Sequence, residues 1–203
     1  MNAPGRGTSH EARLALGWRV HSSSAVVVAV SGPAESPIVA HRETVALVDD
    51  ASLREPYHAA TAVPFDDAPA LIAAVAETAA AAAVAMIGHL AASVGAVAAV
   101  GVVGGNRQIA ADLRRILGKH ALLHAAERDL YERAIVEGAR RAGIPVTTIP
   151  ATGSLVEDAS RVLAVTLGPS LVALGKSVGP PWQKDHREAT AAALVALHAG
   201  GVL

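Results

Sequence analysis

The sequence contains no cysteine, which excludes disulfide scaffolds, thiol nucleophiles and cysteine-ligated zinc and fits a reducing cytoplasm. Aromatic residues make up only 2% of the 203 residues, although 52% of the chain is hydrophobic. The core must therefore be assembled from Val, Leu, Ile and Ala. A charge excess of either sign is missing too: 17 Lys and Arg against 18 Asp and Glu leave a formal net charge of −1. Nucleic-acid binders are usually basic overall, so any such surface here has to be a local basic patch. Two nucleotide and nucleophile signatures are absent. There is no Gly-x-Ser-x-Gly elbow. The segment GVVGG (residues 101–105) lacks both the Lys-Ser/Thr of a P-loop and the full dinucleotide fingerprint. Its glycines read better as a tight turn that allows close helix packing.

A strongly apolar run of membrane-spanning length is also wanting. Residues 70–103 are long and apolar but rich in Ala, interrupted by Glu77 and His89 and punctuated by Gly95. A spanning helix needs about 20 consecutive strongly apolar residues, and Ala is only weakly apolar. The stretch reads as a buried helix followed by a buried strand, with no membrane association. Residues 1–11 are polar and lack the apolar core of a secretory signal, so they read as a disordered arm. Residues 12–203 remain as one α/β domain, long enough to bury a core without disulfide or metal support.

What is present has a clear order. RLALGWRV (13–20), AVVVAV (25–30) and IVAHRETVALV (38–48) read as three strands joined by short turns, hence an antiparallel meander. A short helix falls within 53–63. A long one runs to about Ser93, with Asp66 and Asp67 able to cap it and Pro69 in its first turn. GAVAAVGVVG (95–104) is apolar throughout, as expected of a strand buried on both faces. Asn106 is a candidate cap for a helix reaching Leu117; a longer helix spans 120–142 and IPVTTI (144–149) is a fifth strand. Ser154 opens a further helix, and the last helix spans about 182–198. Helical crossovers make the later strands parallel. The expectation is a five-stranded mixed sheet, β-β-β-α-β-α-β-α, with helices on both faces.

Four constellations can carry chemistry. Arg19 and His21 flank the first turn, where a cation can bind phosphate or carboxylate, or simply pair with an acid. Tyr57 and His58 lie together near a loop and can line a pocket. His120, His124 and Glu127 fall at i, i+4 and i+7, on one helix face. Two imidazoles at that spacing can grip a divalent metal and Glu can add an oxygen, but a polar face or local i, i+4 contacts with Arg128 and Tyr131 would use the same residues. Asp185 and Glu188 share a face near the start of the last helix, where acids in the first turn also simply favour the helix dipole.

Two stretches and the order of elements carry a resemblance over about residues 12–200. LGWRVH (16–21) and DHREATAAA (185–193), in this topology, resemble the ribonuclease-H-like superfamily, particularly its Holliday-junction resolvase branch. The resemblance implies nucleic acid as partner and clustered carboxylates holding Mg or Mn. It also implies a degenerate metal site: the first-strand Asp of such enzymes falls on Arg19, and VGG (103–105) offers no acid at the end of the fourth strand. Only Asp185 and Glu188 stand at family positions. EPYHAA (55–60), HAAE (124–127) and GPPWQKD (179–185) are further similar to an uncharacterised bacterial family.

Two readings stay open. One is a non-catalytic domain binding a phosphate-bearing ligand, nucleic acid or a protein partner through Arg19, His21, Tyr57, His58 and His124. The other is a divergent metal-dependent nuclease or phosphodiesterase using Glu127, Asp185 and Glu188, with His120 or His124 as additional ligands. Both place the function in one cleft between the first strand's end, the 120–127 helix and the start of the last helix. The apolar surface of residues 70–93 and the helix around His120 suggest a homodimer.

Overall fold

The computed structural model describes residues 13–104, 109, 112–151 and 153–200. The arm at 1–11 and the expected Asn106 cap lie outside them. Strands β1 (Leu14–Val20), β2 (Ser24–Ser31) and β3 (Ile38–Ala46) form the antiparallel meander, while β4 (Val97–Val103) and β5 (Val146–Ile149) run parallel to β1. The order across the sheet is β3-β2-β1-β4-β5, so β1 is central and β4 is its neighbour. The meander closes on a two-residue turn in which Ser23 adopts φ 58° and the His21 amide donates to the Ser24 carbonyl at 2.8 Å.

The helices are α1 (Pro56–Ala60), α2 (Ala68–Val94), α3 (Leu113–Leu117), α4 (His120–Arg141), α5 (Leu155–Leu163), α6 (Leu167–Val178) and α7 (Lys184–Ala199). Strand alternation divides their duties. Leu16, Trp18 and Val20 of β1, with Val100 and Val102 of β4, point to the face covered by α2 and α4. Ala15 of β1, with Ala99 and Val103 of β4, points to the face covered by α5, α6 and α7. On this second face α7 sits almost on the backbone of the sheet. A Cβ added to Gly17 would overlap the Ala189 carbonyl, and one added to Gly101 would overlap that of Ala192. Gly101 of β4 thus serves close helix packing, as the sequence suggested.

Three local expectations need correction. Asp67 stands at the N-cap of α2, but its side chain makes no capping bond. Its backbone is already in the helical region, φ −89° and ψ −21°, which turns the carboxylate away from the first-turn amides. The cap of α3 is Asp112, whose carboxylate accepts from the Arg114 amide at 3.0 Å. Finally, α2, expected as a buried helix, is long and apolar enough to cross a membrane by length and composition, and only a third of its most apolar window is buried. Val75, Ala79, Ala80, Ala83, Ile87 and Leu90 form its inner stripe. Glu77 on its flank holds Arg141 of α4 through a two-pronged ion pair, with one bond of 2.8 Å.

Candidate functional site

The carboxyl ends of β1 and β4 carry polar groups on both faces of the sheet. On the α7 face, Arg19 follows Gly17 in the inward alternation and so meets the first turns of α7. Its Nε donates to Glu188 Oε2 at 2.6 Å, and Nη1 donates to the Val20 carbonyl at 3.3 Å. Asp185 Oδ1 lies 3.9 Å from the same Nε, and its Oδ2 meets His21 Nε2 at 2.9 Å. Lys184 Nζ stands 3.6 Å from Glu188 Oε1. The Arg19 and Glu188 side chains are only 14% and 9% exposed, so this pair is largely withdrawn from water. Two cations therefore already neutralise the two carboxylates.

That arithmetic decides the fit of a Mg or Mn pair. Each hard ion seeks several carboxylate oxygens. Here two acids are offered, one of them bonded to a guanidinium at 2.6 Å. The donor set does not fit two such ions. Beside it, a hollow of about 440 Å³ is lined by Lys176, Gly179, Pro180, Trp182 and Arg187. Trp182 is fixed there by its indole N–H, which donates to the Leu171 carbonyl at 2.9 Å. His186, buried under this wall, has its imidazole pKa lowered, first by burial and then by the Arg42 cation, with Asp185 opposing. Its neutral Nδ1 accepts from the Gln183 amide at 3.3 Å and caps α7.

On the opposite face, α4 brings a different group together. Glu127 is fully buried, and its Oε1 accepts from His58 twice, from the backbone N–H at 3.2 Å and from the ring Nδ1 at 2.8 Å. His58 Nε2 reaches His120 Nδ1 at 3.4 Å, and His120 Nε2 meets His124 Nε2 at 3.1 Å. Tyr131, one turn beyond Glu127, donates its hydroxyl to the Arg54 carbonyl at 2.8 Å. Burial, with the Glu127 charge second, pushes its pKa up to about 12, so it stays a donor. A hollow of about 360 Å³ beside His58 is lined by Ser22, Ser23, Ser52, Arg54 and Glu55.

The single cleft expected from the sequence is therefore two sites. Arg19, His21, Asp185 and Glu188 converge on the α7 face; His58, His120, His124 and Glu127 converge on the α4 face. Glu127 cannot join Asp185 and Glu188 in one acidic cluster, because α4 and α7 cover opposite faces of the sheet. Tyr57 and His58 also part company. Adjacent helical residues point about 100° apart, and Tyr57 lines a separate groove of about 680 Å³ with Ile72, Leu113, Ile116 and Leu130. Its walls are mainly apolar and it holds neither polar cluster. The sequence did not disclose that His58 completes a histidine triplet, nor that Glu132 of α4 is buried against Gly104 at the end of β4. Gly104 makes that room by lacking a Cβ, which at this position would overlap the Glu132 carboxylate.

No protein-family model matches the chain, and no curated protein matches it. Solved structures do. The chain is similar to T. thermophilus RuvC in complex with a Holliday junction substrate, with a TM-score of 0.51 and 15% identity over 93% of each chain. It is also similar to a second Thermus thermophilus RuvC structure, with a TM-score of 0.48 and 14% identity over 92% of this chain and 93% of that one. The fold is ribonuclease-H-like. At this identity the likeness is one of architecture, and the bacterial family suggested by the short stretches gains no match.

Proposed function

We propose that this chain is a ribonuclease-H-fold domain that binds nucleic acid beside the start of α7 and does not cut it by a two-metal mechanism. The observation that carries this reading is the Arg19–Glu188 bond of 2.6 Å, which puts a cation among the acids where a metal pair would need an anion. The neighbouring hollow supports a phosphate-bearing ligand: Lys176 and Arg187 supply charge, and Trp182 supplies a face on which a base can stack. The fold supports nucleic acid as the ligand class, since the RuvC neighbour is in complex with a Holliday junction substrate. A homodimer belongs to the same reading, and a monomer mass by light scattering would remove that part.

The test uses branched and plain duplexes in a salt series with Mg²⁺ or Mn²⁺. Binding should weaken with salt, strands should stay intact, and the double variant Lys176→Glu, Arg187→Glu should lower the salt slope by about 2, one per lost phosphate contact. Absence of binding at low salt sinks the proposal. Mg²⁺-dependent cutting that disappears in Asp185→Asn would establish the alternative, a divergent metal-dependent nuclease.

A further inference from the structure

The imidazole cluster lies on the other face of the sheet from that interface and is independent of it. We propose that His58, His120 and His124 bind one divalent cation of the zinc class, with Glu127 held behind His58 as its orienting carboxylate. The chain sets up the triplet in two steps. His120 and His124 are four residues apart and so lie on one face of α4's first two turns. His58 is brought to them by α1, which the buried Glu127 carboxylate anchors through the His58 backbone amide.

The spacing suits one ion. Two nitrogens on a tetrahedral zinc, each at 2.0–2.1 Å, lie about 3.3 Å apart. The two short contacts run to different nitrogens of His120, 3.4 Å from His58 Nε2 to Nδ1 and 3.1 Å from His124 Nε2 to Nε2, so an ion takes one of these pairs and the third ring turns toward it. One ring nitrogen from each of the three lies within 4.8 Å of the other two. His120 and His124 are exposed, so small rotations of their side chains are enough to aim one nitrogen each at a common point.

Glu127 is the second, independent observation. Its Oε1 receives His58 Nδ1 at 2.8 Å, which assigns the ring proton to Nδ1 and leaves Nε2 with its lone pair turned toward His120. A carboxylate behind a metal-binding imidazole acts in this way, fixing the tautomer and raising the basicity of the ligating nitrogen. The other oxygen, Oε2, is buried without a hydrogen bond among the described residues and lies 3.6 Å from His124 Nδ1. A buried carboxylate with one oxygen unsatisfied is costly, and a cation among the three rings offsets that cost. Three neutral nitrogens favour Zn²⁺, Co²⁺, Ni²⁺ or Cu²⁺ over Mg²⁺ and Mn²⁺, which prefer oxygen. They also leave a fourth tetrahedral position for water or a ligand oxygen. Without metal, the same contacts would be a run of hydrogen bonds from Glu127 through His58 and His120 to His124, and that arrangement predicts no zinc affinity.

The experiment is zinc titration of the untagged, chelator-treated protein by calorimetry, with Co²⁺ absorption as a second readout. One Zn²⁺ per chain should bind, and Mg²⁺ should not compete. Co²⁺ should give the visible bands of a four- or five-coordinate site. The double variant His120→Gln, His124→Gln should lose binding, whereas His89→Gln, on the exposed face of α2, should retain it. Glu127→Gln should weaken binding about 10- to 100-fold through the His58 ring. Circular dichroism melts confirm that the variants are folded; should the double variant fail to fold, each single variant must weaken binding on its own. Failure of zinc to bind, or binding that survives the double variant, overturns the proposal.

Discussion

The two faces of the sheet are built on opposite principles. On the α7 face, Gly17 and Gly101 bring backbone against backbone, and the polar groups at its edge form ion pairs that cancel: Arg19 and Lys184 against Asp185 and Glu188. On the α2–α4 face, Trp18, Leu16, Tyr131 and Ile135 fill the layer between helices and sheet, and the polar edge gathers imidazoles around one buried carboxylate. Close packing fixes charges in register and suits a rigid, pre-set electrostatic surface.

The comparison can be broken most severely at the close-packed face. Gly101→Val should cost more than about 3 kcal/mol, above the usual overpacking penalty, because the new side chain meets the Ala192 backbone and no flexible side chain can move aside. Urea unfolding measures this, and a loss below 1 kcal/mol would mean that α7 can lift off. Arg19→Ala should cost about 3 kcal/mol, since removing one partner strands the buried Glu188 carboxylate. Arg19→Ala, Glu188→Ala together should recover part of that loss in the same assay.

A smaller effect comes from His186. Its folded pKa lies below the ordinary imidazole value, so the unfolded chain takes up the proton more readily. The stability contributed by the neutral ring is complete above about pH 6.5 and declines as pH falls below that value. Stability should drop on the order of 1 kcal/mol on acidification, the worth of a helix cap. His186→Gln should flatten that part of the profile, and an unchanged slope would count against the capping role. Smallest of all should be Trp18→Phe on the α2–α4 face. The lost packing volume is opposed by removal of a buried indole N–H that has no hydrogen-bond partner among the described residues. Thermal unfolding should stay within about 1 kcal/mol of the parent.

Most of the fold was legible in the sequence because its signals are local. AVVVAV and GAVAAVGVVG can hardly be anything but buried strands, and the change from tight turns to long helical links after Ala46 fixes where antiparallel pairing gives way to parallel. The site was only half legible, for a reason of parity. Trp18 and Arg19 are neighbours in sequence but belong to opposite faces, and treating the strand end as one place merged two sites. The alternation Ala15, Gly17, Arg19 carried the missing information: small residues mark the side on which an Ala-rich helix can lie, and that helix is α7. No local signal joins His58 to His120, which are 62 residues apart and meet only when α1 folds onto α4. Cap positions failed for a finer reason, since Asp67 has the right residue type but the wrong backbone conformation.

The fit of Gly17 against Ala189 and Gly101 against Ala192 behaves as a key in a keyway. The two glycine notches engage residues three apart on α7, almost one turn, so the helix can neither slide nor rotate without a clash. The notches thus fix the helix rotation that brings Asp185 and Glu188 to Arg19 and His21. A single residue inserted between Glu188 and Ala189 would leave the notched half in place and swing Asp185 and Glu188 by about 100° around the helix axis. Across homologous chains, length changes should then gather in the loop before Lys184 and avoid the stretch from Asp185 to Ala193.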